Sequence, residues 1–315
     1  MKKPLVIIAG PTAVGKTEFS ISLAKAIHGE IISADSMQIY QGMDIGSAKI
    51  TKEEMDGIPH YLIDELSPFD EFHVVKFQEM AKAAMEKIYK NGHIPIVVGG
   101  TGFYIQALLK DVDFRSEEGD PAYRKQLEDY AAKMGADALH ELLKAVDEKA
   151  AEEIHANNIK RTVRALEYYH LTGRPISEHN EAQRKKKPAY HAAYFVLTMD
   201  RARLYERINL RVDRMLEQGL TEEVKKLMRM GCTKNMVSMQ GLGYKEMLSW
   251  LSGECTYEEA VEVLKRETRH FAKRQLTWFK REPDVIWFDK DELGTEEALL
   301  RKALDILQER GICKS

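Results

Sequence analysis

A glycine-bracketed loop ending in lysine and threonine, set straight after an apolar run, constrains this chain more than any other feature. Residues 5–9 read Leu-Val-Ile-Ile-Ala and lead directly into Gly10, Pro11, Thr12, Ala13, Val14, Gly15, Lys16 and Thr17. The spacing is that of a Gly-x-x-x-x-Gly-Lys-Thr phosphate loop between a strand and a helix. Glycines let the backbone turn tightly, so that successive amides point inward at phosphate oxygens. Lys16 adds a point charge, and the Thr17 hydroxyl is a ligand for the magnesium that accompanies phosphates. Phe19, Leu23 and Ile27 recur behind the loop at helical spacing, so a helix N-terminus also faces the anion. The loop predicts a bound diphosphate or triphosphate and leaves open whose.

The first third of the chain alternates strand and helix. Residues 30–34 read as a second strand ending at Asp35, and residues 60–64 as a short third one. Phe77, Met80, Ala81, Ala84, Met85 and Ile88 share one helical face, closed by Asn91 and Gly92. Residues 93–98 form a buried strand that ends in Gly-Gly-Thr-Gly, followed by a helix to Leu109. This order predicts an α/β fold like that of the P-loop NTPases, a parallel sheet with helices on both faces. Its ligands belong beyond the carboxyl ends of the strands. The alternation stops near Asp113. Residues 114–187 read as an inserted all-helical domain with a basic linker at its end, so that residues 1–113 and 188–315 make the core. In the second core segment a strand is expected at 194–199, and long helices at 203–219, 221–230, 257–280 and 296–309.

Cys232, Cys255 and Cys313 are isolated, which excludes a disulfide framework and a cysteine-based zinc module. The apolar start is too short for an export signal, and no run is long enough to span a membrane, so a cytoplasmic protein is expected. A formal net charge of −3 argues against a nucleic-acid partner, but the distribution argues for one. Residues 265–281 carry seven Lys or Arg against Glu267 alone, whereas residues 115–153 carry eleven acids against six bases. Such segregation permits a basic surface on a near-neutral protein.

A nucleoside-triphosphate motor would need an acid at the end of a second apolar strand to hold magnesium. The best such strand ends in Gly99, Gly100 and Thr101, and Asp64 is a weak substitute. Asp35, at the tip of the second strand, has two readings. It can orient and deprotonate a nucleophile that attacks what the loop holds, or it can simply close a turn. Arg203, Arg207, Arg211 and Arg214 share one helix face, either solvated beside Glu206 or facing phosphate. Phe271, Trp278 and Phe279 could stack bases, but their spacing with Leu264 and Leu276 favours the core.

Several blocks together resemble the tRNA dimethylallyltransferases, also called tRNA isopentenyltransferases. They are Gly-Pro-Thr-Ala-Val-Gly-Lys-Thr (10–17), Ser-Ala-Asp-Ser-Met-Gln-Ile-Tyr (33–40), Gly-Met-Asp-Ile-Gly-Ser-Ala-Lys (42–49) and Val-Gly-Gly-Thr-Gly-Phe-Tyr (98–104). Arg-Ala-Leu-Glu-Tyr-Tyr (164–169), Gln-Gly-Leu-Gly-Tyr-Lys-Glu (240–246) and Ala-Lys-Arg-Gln-Leu-Thr-Trp-Phe (272–279) follow in order. Ser47 departs from the family's usual Thr, and the zinc finger of eukaryotic members is missing, so the chain resembles the bacterial form.

The resemblance implies transfer of the dimethylallyl group of dimethylallyl diphosphate to the exocyclic amine of the adenosine just 3′ of a tRNA anticodon, with loss of pyrophosphate. It implies Asp35, Thr17, Lys16 and Arg211 as the catalytic set, residues 10–17 as the diphosphate site, and Mg²⁺ on Thr17. Contacts to the anticodon stem-loop are implied at Asp35, Ser36, Met37, Gln38, Thr101, Arg124, Lys160, Arg161, Thr162, Val163 and Arg164. Gln240, Gly241, Leu242, Gly243, Tyr244 and Lys245 complete that set, and a monomer is expected. Two other classes remain: a P-loop kinase that uses the loop for ATP, and a non-catalytic RNA-binding protein whose loop holds backbone phosphate.

Overall fold

The computed structural model describes residues 2–114 and 119–313, so residues 115–118, where the acid-rich stretch begins, lie outside the described residues. The chain forms two compact units, residues 1–109 with 189–315 and residues 110–188.

In the first unit, β1 (Pro4–Ala9), β2 (Gly29–Ser33), β3 (His60–Tyr61), β4 (Ile94–Gly99), β5 (His191–Thr198) and β6 (Ile286–Asp289) make one sheet in the order β3-β2-β4-β1-β5-β6. Every pairing is parallel, with Val6 of the central β1 set against Ile96 on one side and Ala193 on the other. Helices cover both faces, which is why residues 5–9 are buried without alternation. Leu5, Ile7 and Ala9 join one core, with Phe77, Ala81 and Met85 of α2 (Val74–Lys90) and Ile105 and Leu108 of α3 (Gly102–Leu109). Val6 and Ile8 point to the other core, with Phe19 and Leu23 of α1 (Lys16–Ile27).

The second unit is helical: α4 (Pro121–Met134), α5 (Ala136–Val146), α6 (Glu148–Glu153), α7 (Ile159–Thr172) and α8 (Ile176–Lys185). Leu127, Leu139, Leu143, Val163 and Leu166 form its own core. Its helix starts follow from capping chemistry. The Asp120 carboxylate accepts from the N–H groups of Ala122 and Tyr123 ahead of α4, and Asp147 accepts from Ala150 ahead of α6. Asp147 also accepts from the Ser177 N–H and hydroxyl at 2.9 and 2.6 Å, fastening α8 to that corner.

The first unit resumes with α9 (Arg201–Glu217), α10 (Leu220–Arg229), α11 (Tyr244–Leu251), α12 (Tyr257–Phe279), α13 (Lys290–Leu293) and α14 (Glu296–Glu309). Leu299, Ala303 and Leu307 of α14 pack into the core that holds Phe19.

Several elements depart from the sequence reading, among them β5, which starts at His191 rather than 194, and α11, which was not expected. The third strand stops at Tyr61 rather than Asp64, because Leu62 and Asp64 take left-handed backbone at φ 62° and 56°. Helix α9 starts at Arg201, two residues early, because Asp200 caps it through the N–H groups of Ala202 and Arg203. Strand β6 was not expected; its four residues are too few for a periodic signal.

The carboxyl ends of β1, β2 and β4 lie where the connection from β1 runs to β2 on one side of the sheet and the connection from β4 runs to β5 on the other. Their approach needs Gly99, where an added Cβ would lie 2.3 Å from the carbonyl oxygen of Ala34. Gly99→Ala should therefore destabilise the fold by about 1–3 kcal/mol, the usual cost of overpacking, read as a fall in the urea midpoint. An unchanged midpoint would mean that these strand ends are not in close contact.

Candidate active site

Helix α1 begins at Gly15, whose φ of 95° lets the phosphate loop close on the helix N-terminus. Beyond the loop lies a cavity of about 360 Å³. Thr12, Ala13, Gly15, Lys16 and Thr17 form its floor. Ser33, Asp35 and Gln38 enter from the end of β2, Gly99 and Gly100 from the end of β4, and Arg207, Arg211 and Arg214 from α9. Helix α9 can offer three arginines to one side because Leu204, Ile208 and Val212, on the adjacent stripe, anchor it in the core. Val14 does not reach the cavity; its side chain is core.

The electrostatics of this cavity are unbalanced. Lys16 Nζ donates to the carbonyl oxygens of Gly10 and Pro11 at 3.1 and 2.8 Å. Desolvation, then the nearby Arg211 guanidinium, push the Lys16 pKa down to about 7, against an opposing pull from Asp35. Burial, and secondly Arg207, lower the pKa of Arg211, again opposed by Asp35. Arg207 Nε is held by the carbonyl oxygen of Ala13 at 2.8 Å. Four cationic groups thus line a space with a single carboxylate, a setting built for an anion of several charges.

A second cavity of about 480 Å³ adjoins the first and shares Thr12, Asp35, Arg211, Phe271 and Gln275 with it. Its other walls include Ser36, Met37, Gly46, Ser47, Thr101, Tyr104, Gln240, Gly241, Leu242, Lys245 and Arg274. Asp35 stands on the boundary. Its Oδ1 accepts the Met37 N–H at 2.8 Å, so it does close a turn. No described residue donates a hydrogen bond to the other oxygen, and the same carboxyl lines both cavities. The two sequence readings of Asp35 are therefore compatible.

Gln275 of α12 is the residue that sequence reasoning missed at this junction. Its Oε1 accepts the Thr12 N–H at 2.9 Å and its Nε2 donates to the Gly100 carbonyl at 3.0 Å. The only signal was its place in the 272–279 block.

Other sequence-derived residues are distributed less simply. Gly243 and Tyr244 are buried and do not line the second cavity, unlike their neighbours 240–242 and Lys245. Gln38 uses its amide inside the loop, accepting from Ser33 Oγ at 3.1 Å and donating to the Ala48 carbonyl at 3.2 Å. Arg203 shares the α9 face but pairs with Asp291 instead of lining the cavity. Asp64 is tied to Lys49 and lines neither cavity. The core reading of the aromatics fails for Phe271, which lines both cavities. Phe279 is fully buried, and half-buried Trp278 packs edge-on against the exposed Phe103. In the helical unit, Lys160, Arg161 and Arg164 lie on the exposed face of α7, while Thr162 and Val163 are buried. Arg124 forms a two-pronged pair with Glu167, the shortest contact being 2.9 Å.

The model of the IPP transferase family matches residues 38–282. A tRNA dimethylallyltransferase of Lachnoclostridium phytofermentans is 60% identical over 99% of this chain and 100% of its own length. A crystal structure of the full-length tRNA isopentenylpyrophosphate transferase from Bacillus halodurans superposes with a TM-score of 0.73 at 44% identity, covering 99% of this chain and 98% of that one. A eukaryotic dimethylallyltransferase acting on tRNA gives a TM-score of 0.83 at 31% identity, over 97% of this chain and 79% of that one.

The lowered pKa of Lys16 has a measurable sign. A lysine with a folded pKa near 7 and an unfolded value of 10.5 costs stability in full below pH 7, and that cost fades as the pH rises towards 10.5. Ligand-free Lys16→Met should therefore resist urea better than the parent at pH 6.5, and the difference should shrink by pH 9.5. A difference independent of pH would show that the Lys16 ammonium is not desolvated.

Proposed function

The chain belongs to the IPP transferase family of tRNA dimethylallyltransferases, and on that footing we propose that it moves the dimethylallyl group of dimethylallyl diphosphate onto the exocyclic amine of the adenosine 3′ of a tRNA anticodon. One observation carries the assignment of roles: Asp35 borders both a cationic cavity and a larger, less charged one. The diphosphate occupies the first cavity and the extruded adenine the second. Extrusion is required because the amine is out of reach inside a folded anticodon arm.

In this reading the loop amides, Lys16 and Arg211 hold the diphosphate, and the planar guanidinium suits its oxygens better than an ammonium would. Arg207 and Arg214 add charge at the same wall. Val98, Ala48, Leu210 and Phe271 supply apolar surface for a five-carbon tail. The adenine amine is a poor nucleophile because its lone pair is delocalised into the ring. Asp35 takes one of its protons as a bond forms between that nitrogen and C1 of the dimethylallyl group. The bond from C1 to the bridging oxygen breaks, and its electron pair leaves with pyrophosphate, whose growing charge Lys16 and Arg211 stabilise.

The Thr17 hydroxyl fits Mg²⁺, since it is a hard oxygen donor on the cavity wall. Among the described residues there is no cluster of three or more His, Cys, Asp or Glu able to cage an ion, so diphosphate oxygens and water would complete its shell. Bound there, the ion would neutralise leaving-group charge. ATP chemistry has less support, because β4 ends in Gly99 against Ala34 and Asp64 is engaged by Lys49.

The exposed Lys160, Arg161 and Arg164 of the helical unit suit RNA backbone phosphates, with Arg124 at a second position. No helix among the described residues is long and apolar enough to cross a membrane.

Labelled dimethylallyl diphosphate incubated with an unmodified anticodon stem-loop should pass its label to the RNA. Replacing the target adenosine by another base should abolish transfer. Rapid RNA-independent ATP turnover with no label in RNA would contradict the proposal and favour a kinase.

A further inference from the structure

Two stretches, the loop at residues 42–49 and residues 240–245 leading into α11, form much of one wall of the second cavity, through Gly46, Ser47, Gln240, Gly241, Leu242 and Lys245. The loop is not held by a sheet, so its N–H groups must find partners elsewhere. A single side chain serves three of them and also holds the Tyr244 side chain of the second stretch. Glu223, in the first turn of α10, accepts from the N–H groups of Asp44 and Ile45 through Oε2, each at 2.8 Å. Its Oε1 accepts from the Gly46 N–H at 3.0 Å and from the Tyr244 hydroxyl at 2.7 Å. Three successive amides around one carboxylate make a nest, here filled by the protein's own anion.

Tyr244 is fully buried, and its ring fills the space beside Gly46, where a Cβ would sit 2.5 Å away. The carboxylate therefore sets the distance between the two stretches as well as the conformation of the first. Its three N–H partners lie far from it in sequence, so nothing in the local pattern of α10 announced the role.

We propose that Glu223 is a positioning residue for RNA: by clamping residues 44–46 to Tyr244, it holds open the wall of the second cavity that receives the extruded base. The inference rests on the reading of that cavity as the RNA side. Glu223 touches neither cavity itself. The phosphate contacts hang on β1, α1 and α9, and of residues 42–49 only Ala48 lines the first cavity, so loosening the clamp leaves the diphosphate side largely intact.

The test is affinity for a fluorescein-labelled anticodon stem-loop, read by anisotropy, beside steady-state transfer. Glu223→Ala should weaken stem-loop binding and raise its KM by about 10- to 100-fold, the worth of one or two charge-assisted hydrogen bonds. The KM for dimethylallyl diphosphate and kcat at saturating RNA should stay within about threefold of the parent. Glu223→Gln keeps two of the N–H partners and should recover part of the loss, and Tyr244→Phe, which removes one bond of the four, should do least. Should Glu223→Ala fail to fold, Glu223→Gln carries the same comparison. Unchanged stem-loop affinity in a folded variant, or an equal loss for both substrates, would overturn the role. The parent enzyme run alongside separates the two ideas. No transfer by the parent refutes the RNA reading itself, whereas transfer with unaltered RNA affinity in the variant refutes the clamp alone.

Discussion

The hydrogen bonds of Gln275 tie together the two strand ends on which everything else depends. One amide group spans the Thr12 N–H of the phosphate loop and the Gly100 carbonyl after β4. It can do so only because Gly100 has no side chain; a Cβ there would lie 2.0 Å from Gln275 Nε2. Helix α12 is thereby fixed to the mouth of the sheet, and with it Phe271 and Arg274, which line the cavities one turn earlier. A buried amide with both ends satisfied costs little to desolvate and leaves no slack in either loop.

That rigid junction supports a deliberate imbalance of charge. Lys16, Arg207, Arg211 and Arg214 crowd one cavity, and burial first, then a neighbouring guanidinium, depresses the pKa of Lys16 and Arg211. Such an arrangement weakens the ligand-free protein and favours a complex with an anion of several charges, such as the proposed diphosphate, which would supply the missing negative charge. Among the described residues Asp35 is the sole carboxylate lining that cavity, and it is also the link to the second one. Its turn-closing bond to Met37 occupies one oxygen and fixes the direction of the other. The same group can thus be structural and reactive.

Much of the fold was legible because local chemistry dictates it. A run such as residues 5–9, buried on both faces, and a loop with glycines at fixed spacing admit few alternatives to a parallel sheet with a phosphate loop. The third strand was overdrawn because Leu62 and Asp64 take left-handed backbone, where the Leu62 N–H donates to Glu65 and Asp64 pairs with Lys49, contacts that no periodic pattern reveals. Strand β6 was missed for its length. At the site, the sequence could point to Asp35 and the arginine face of α9, since strand tips and helix periodicity are local properties. It could not separate Arg203, claimed by Asp291, from Arg207, Arg211 and Arg214. Glu223 and Gln275 were hard to see because all their partners but Tyr244 lie 175 to 263 residues away along the chain.

The central claim is that Asp35 removes a proton from the attacking amine across the boundary between the two cavities. Its most direct test is the single-turnover rate of Asp35→Asn with saturating stem-loop and dimethylallyl diphosphate. Asparagine keeps the shape and the turn-closing acceptor while removing basicity, so both affinities should stay close to those of the parent. The rate should fall by about 10²- to 10⁴-fold, the usual contribution of a general base. A rate close to that of the parent would contradict the account.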